Sequence, residues 1–142
     1  MEIVRAREIS ECEIDQVNEL VKKLSSGAKL LSTEEMNTLL SDDNLVLFIA
    51  CVDGKIVGML SLVFYQIPTG LRARIEDVVV LDEYRGLGIA RSMSEKAILT
   101  FKKSGARTLD LTSSPSRIAA NKLYQSIGFV RRETNVYRFY DP

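Results

Sequence analysis

The stretch RIEDVVVLDEYRGLGIARSMSEKAILTF, Arg74 to Phe101, constrains the fold more than any other part of the chain. Residues from Arg72 to Leu81 read as a largely apolar strand. Two glycines, Gly86 and Gly88, follow. The chain then runs as a helix to about Lys103, with Ile89, Met93, Ala97 and Phe101 on one face. A strand that feeds an amphipathic helix through a short loop needs a sheet beneath that helix, so the domain belongs to the α/β class. The helix start also leaves backbone N–H groups without partners at the positive end of the dipole, which makes the loop a natural anion site.

The flanking sequence supplies the remaining layers. Glu2 to Ala6 reads as a first strand. Ser10 with Glu13 is a capping-box signature ahead of a helix carrying Ile14, Val17, Val21 and Leu24. Ser32 with Glu35 repeats it before Met36, Leu39 and Leu40. LVLFIACV, Leu45 to Val52, is a buried strand, and Asp53-Gly54 turns it into an antiparallel partner, Lys55 to Ile67, before Pro68 and Gly70 open a loop. Thr108 to Thr112 alternates as a strand. SPSR then starts a helix expected to bury Ala119, Ala120, Leu123 and Ile127, with Gly128 as its C-cap. FVRRE and VYRFY, on either side of Thr134-Asn135, read as a closing hairpin. No repeat or linker divides the 142 residues, which are read as one domain, 1–142.

Composition removes several classes of function. Nineteen basic and 19 acidic residues cancel, so nucleic acid is not an expected partner. No signal-peptide core or membrane-length apolar run is present, which points to a cytoplasmic protein with no membrane partner. Cys12 and Cys51 lack metal-site spacing and read as reduced, buried thiols, and no metal is expected. The chain has no histidine, which excludes Ser-His and Cys-His nucleophile pairs and the HExxH zinc motif.

Spacing then decides what the glycine loop holds. A dinucleotide fingerprint starting at Gly86 would need a small residue where Arg91 stands, and a P-loop would need a Gly-Lys-Ser/Thr end that the chain lacks. Arg/Gln-x-x-Gly-x-Gly/Ala does fit, through Arg85, Gly88 and Ala90. A second block, RIAANKLYQSIGF from Arg117 to Phe129, is in register with Asn-x-x-Ala-x-x-Leu-Tyr-x-x-x-Gly-Phe at Ala120, Leu123, Tyr124, Gly128 and Phe129. In both blocks, and in element order over almost the whole chain, the sequence resembles the GNAT superfamily of acetyl-CoA-dependent N-acetyltransferases.

The resemblance implies an α/β GNAT fold: a mixed, mostly antiparallel sheet of six to seven strands, about four helices, and a parallel pair splayed at the coenzyme site. It implies acetyl-CoA as co-substrate, cradled by Arg85, Gly86, Leu87, Gly88, Ile89, Ala90 and Arg91, with the main chain of Val78, Val79 and Val80 bonding the pantetheine arm and polarising the thioester carbonyl. Arg117 stands where the family often has an Asn for that arm, a departure that replaces the usual contact with a charged one to coenzyme or acceptor. Tyr124 is the implied general acid for the departing thiolate. Glu76 is preferred over Asp77 for handling the amine. Successive strand side chains point to opposite faces, so the two form no dyad unless a bulge intervenes. Arg85 and Arg91 are equally well read as solvated surface charge, and Arg131, Arg132 and Arg138 are read as guards of an edge strand ahead of a contact to an acidic acceptor. The expected acceptor is a primary amine on a small molecule or peptide, and a homodimer is compatible with the chain. The alternatives are a non-catalytic acyl-CoA-sensing module and an enzyme using another acyl donor.

Overall fold

A computed structural model describes residues 1–142. The strands are β1 (Glu2–Ala6), β2 (Leu45–Val52), β3 (Lys55–Ile67), β4 (Gly70–Val80) and β5 (Leu109–Asp110). The helices are α1 (Ile14–Leu24), α2 (Thr33–Leu40), α3 (Ile89–Ser104) and α4 (Ile118–Ser126). The chain separates into two compact units, Met1–Leu111 and Thr112–Pro142. No helix is long and apolar enough to cross a membrane.

The first unit is built on one sheet in the order β1-β2-β3-β4-β5, antiparallel except for the β4–β5 pair. Two turns set its register. Asp53 and Gly54 both take positive φ, 48° and 77°, as a type I′ hairpin turn requires. At the next reversal Ile67 pairs with Gly70, so Pro68-Thr69 is a two-residue turn rather than the expected open loop. Arg107 holds this turn through Nη1 to the Thr69 carbonyl at 2.7 Å. Leu60 and Leu62 of β3, Ala73 of β4, Leu20 of α1, and Met93 and Ala97 of α3 are fully buried, which fixes the side that each helix turns to the sheet.

Helix starts differ from the signatures in one instructive way. At α2 the Ser32 hydroxyl accepts from the Glu35 N–H at 3.1 Å and Glu35 accepts from the Ser32 N–H at 2.8 Å, a complete capping box. At Ser10 both the N–H and the hydroxyl donate to Glu13, so the motif closes a turn ahead of α1 without capping it. These two bonds hold the Glu13 carboxyl below its ordinary pKa.

The second unit corrects the sheet. Residues from Phe129 onward form no strand, so the sheet has five strands rather than six to seven. Strand propensity makes no hydrogen bonds without a partner edge, and Thr134-Asn135 lacks the glycine that tight hairpins favour. Within α4 only Tyr124 is buried; Ala119 is exposed, while Ala120, Leu123 and Ile127 are half-buried. Cys12 is also exposed and Cys51 intermediate, against the expectation of two buried thiols.

Candidate active site

In the first unit the site residues lie on β4 and on the loop into α3. The β3–β4 pairing runs in register from Ile67 opposite Gly70 to Ser61 opposite Glu76, then resumes with Met59 opposite Val79. Asp77 and Val78 therefore both face Leu60, which is a β-bulge on β4. Asp77 takes φ +53°, a left-handed conformation uncommon for any residue but glycine, though aspartate tolerates it better than most. Strain of this kind persists where the surrounding structure fixes it, and it concentrates at functional sites.

The bulge gives the two neighbouring carboxylates different surroundings. Glu76 is exposed and receives a 2.9 Å ion pair from Arg74 Nε, two residues back on the same strand face. Asp77 reaches solvent too, yet partial desolvation, and secondly the charge of Glu76, raise its carboxyl pKa above the ordinary value. The sequence contains a signal for this, a polar Glu-Asp pair inside an apolar strand, but not the backbone conformation that results.

Beyond Arg74 the outer edge of β4 loses its neighbour. Pairing with β5 is limited to Ala73 with Leu109 and Arg74 with Asp110, so the main chain from Glu76 to Val80 runs past the end of that ladder. Val79 and Val80 bury their side chains and Val78 half-buries its own. The expected strand over Thr108 to Thr112 is shorter than predicted, which lengthens this open stretch.

The loop follows a single 3-10 turn, Asp82–Tyr84. The Leu81 N–H donates to the Val57 carbonyl and ties the loop base to the sheet. Asp82 accepts ion pairs from Lys23 of α1 at 2.7 Å and from Arg85 at 2.8 Å, which hold its carboxyl below the usual range, the Lys23 bond being the larger cause. Sequence reading missed this anchor, because Lys23 and Asp82 meet only across the fold. Gly86 and Gly88 both adopt φ +77°, and a Cβ on either would meet nothing within 4 Å. The N–H groups of Gly86 through Ala90 donate to no protein acceptor, and the first bond closing α3 runs from Ser92 N–H to the Gly88 carbonyl. A row of free donors at the start of a 16-residue helix, over open space, suits a pyrophosphate. Ile89, 2% exposed, anchors the helix start in the core. Arg85 is engaged by Asp82, and Arg91 pairs with Glu95 one turn on at 3.3 Å.

The second unit explains its own motif locally. Phe129 N–H donates to the Tyr124 carbonyl at 2.9 Å and Gly128 N–H to the Gln125 carbonyl at 3.2 Å, with Gly128 at φ +106°: a Schellman cap. Its accompanying hydrophobic contact is the edge-on packing of Phe129 on Tyr124, with centroids 6.0 Å apart and ring planes at 73°. The Gly-Phe pair thus fixes the turn of helix that carries Tyr124. Tyr124 is 6% exposed, and burial raises its phenol pKa further, partly offset by the positive charge of Arg117. At neutral pH it is a proton donor. Arg117 sits at the N-cap of α4 and is exposed.

The chain is similar to known proteins over much of its length. A family model described as "Acetyltransferase (GNAT) family" matches residues 14–129. An N-alpha-acetyltransferase MAK3 of Arabidopsis thaliana is 32% identical over 93 residues, 66% of this chain and 48% of the relative. The chain thus spans about half the length of that curated relative. Among solved structures, a putative acetyltransferase from Agrobacterium tumefaciens str. C58 superposes with a TM-score of 0.82 at 25% identity, over 99% of this chain and 100% of the other. An aminoglycoside N-acetyltransferase, AAC(6')-Iy, solved in complex with CoA, matches at TM-score 0.77 and 20% identity over 99% of this chain and 100% of its own, a likeness of fold.

Proposed function

The chain belongs to the GNAT family of acetyltransferases, and we propose that it transfers an acetyl group from acetyl-CoA to a primary amine of a small molecule or peptide, by direct attack within a ternary complex. The observation that carries this reading is the run of free backbone donors from Gly86 to Ala90 at the head of α3. The family match from 14 to 129 extends across both compact units and supports treating residues 1–142 as one acetyltransferase domain.

Each chemical need has a residue. The donors of Gly86 through Ala90 hold the coenzyme's pyrophosphate, and the open edge of β4 at Val78 to Val80 offers main-chain groups to the pantetheine arm and a donor to the thioester carbonyl. Attack by the neutral amine forms the C–N bond and breaks the C–S bond, and Tyr124 gives its phenolic proton to the departing thiolate. Asp77 is the carboxylate for the amine: its raised pKa makes it the better base, whereas Glu76 is already paired with Arg74. Glu76 keeps a supporting place beside it. Arg91 and Arg117 add positive charge on the coenzyme side.

The test is release of free thiol from acetyl-CoA over a panel of amines, amino acids, polyamines and peptides. Turnover on one class identifies the acceptor. Tight coenzyme binding without turnover on any class would replace this reading with an acyl-CoA-sensing module.

A further inference from the structure

The far end of α3 covers a corner of the sheet that the proposed acetyl-transfer site does not use. Pairing register puts Arg5, Val46, Phe64 and Leu71 on one face of that sheet. Arg5 lies opposite Phe48, Val46 opposite Leu62 and Phe64 opposite Ala73, and alternate residues along each strand share a face. With Thr100, Lys103 and Ser104 from the end of α3, they line a groove of about 430 Å³, within the size range of small-molecule sites. Asp43 and Asn44, just ahead of β2, complete the wall. Every lining residue belongs to Met1–Leu111. The 16 residues of α3, at about 1.5 Å each, separate this groove from the glycine loop by roughly 20 Å.

Floor and rim differ in chemistry. Val46 is buried, while Phe64 and Leu71 are half-buried and turn apolar surface to the groove. Arg5, Lys103 and Asp43 are exposed on the rim, and their side chains make no hydrogen bond or ion pair. Elsewhere such charges pair, as Lys23 does with Asp82 and Lys29 with Glu35. Here two cations and a carboxylate surround one space without meeting. The walls are preformed. Asp42 Oδ1 accepts from the Asn44 N–H at 2.8 Å, and the Phe64 N–H donates to the Asn44 carbonyl at 2.8 Å. The Ser104 hydroxyl donates to the Phe101 carbonyl at 2.7 Å and accepts from the Ala106 N–H at 3.0 Å. A ligand therefore meets backbone that is already ordered.

We propose that this groove binds a free α-amino acid with an apolar side chain. The ligand carboxylate meets Arg5 and Lys103, its ammonium meets Asp43 and the side-chain carbonyl of Asn44, and its side chain lies over Phe64 and Leu71. A simple organic anion would leave Asp43 as an opposing charge, and a simple amine would leave both cations unanswered. A zwitterion answers all three. Each pair is open to water and individually weak, so the site suits a ligand present at concentrations on the order of 1 mM. The inference does not depend on the acetyl-transfer reading, because no lining residue belongs to the glycine loop, the β4 bulge or α4.

The experiment is titration of the full chain with L-leucine, followed by amide NMR shifts and repeated with N-acetyl-L-leucine and L-leucinamide, which lack the positive and the negative charge respectively. Saturable shifts are expected, confined to 43–46, 64–71 and 100–106, with each analogue binding about tenfold or more weakly for the loss of a charge-assisted contact. Asp43→Asn should erase the preference over N-acetyl-L-leucine, and Arg5→Gln combined with Lys103→Gln the preference over L-leucinamide. All three positions are exposed, so the variants should keep the parent spectrum away from the groove. No saturation at roughly 10 mM L-leucine overturns the proposal. N-acetyl-L-leucine binding as tightly as L-leucine overturns it too, as a plain anion site would behave that way. Shifts centred on 77 or 86–90 would move the ligand to the acetyl-transfer site, and preferences that survive the substitutions would remove the charges from recognition; either result overturns the proposal equally.

Discussion

The two compact units use apolar residues in opposite ways. In Met1–Leu111 they are interior: Leu20, Val57, Leu60, Leu62 and Leu81 are inaccessible, and every strand of the sheet belongs to this unit. In Thr112–Pro142 one side chain, Tyr124, is buried, and the aromatics after Phe129 face solvent. The first unit can hold a strained residue such as Asp77 because the surrounding ladder over-determines its backbone. The second has no such reserve, and its motif depends on a local cap. What this teaches is that a motif residue is positioned by tertiary packing in one unit and by helix-end geometry in the other.

The largest effect expected on that contrast is on stability. Leu60→Ala, at a fully buried position opposite the bulge, should cost about 2–5 kcal/mol in denaturant unfolding. Ile118→Ala, 64% exposed on α4, should change it by less than about 0.5 kcal/mol. Equal costs would erase the distinction between the units.

Next in size is coenzyme binding. Gly88→Val puts a β-branched side chain at φ +77° and into the open space above the loop, so calorimetry should detect no CoA binding while thermal unfolding stays cooperative. Unchanged affinity would remove the loop from the donor site. Tyr124→Phe should leave CoA affinity intact and lower turnover about tenfold or more, at the low end of general-acid effects. Full activity would make Tyr124 a packing residue for Phe129 alone.

The smallest and most diagnostic effect belongs to Asp77→Asn. A carboxyl whose folded pKa lies above its unfolded value binds protons more readily in the native state, so its ionisation destabilises the fold at neutral pH. The variant should therefore melt slightly higher than the parent at pH 7, and the difference should vanish as pH falls below the ordinary aspartate range, where Asp77 is protonated in both folded and unfolded states and resembles Asn. Turnover should fall, and the acid limb of the rate profile, displaced upward by the raised pKa in the parent, should disappear. Glu76→Gln should keep that limb. If Glu76→Gln removes it instead, the carboxylate roles are reversed.

Much of this was readable in the chain before folding. Asp53-Gly54 specifies its turn because the required positive φ values suit these residues, and Ser32 with Glu35 specifies a helix start because both bonds are local. The pair Ser10 and Glu13 shows the limit: the same letters make a turn without a cap, because α1 begins only at Ile14. The closing hairpin failed for a related reason. Val136 to Tyr140 has strand propensity, but propensity describes a surface that fits a sheet and supplies no sheet.

The sequence by itself determined the order of strands and helices, the glycine loop ahead of α3 and the Leu-Tyr block with its Gly-Phe cap, since these depend on spacing and on residue conformational preference. Only the tertiary structure decided that β4 bulges at Asp77, that Arg74 occupies Glu76, that Lys23 and Arg85 anchor the loop through Asp82, and that β5 leaves an open edge. Those outcomes come from pairing register and from contacts between residues distant in the chain, and local spacing carries no information about either.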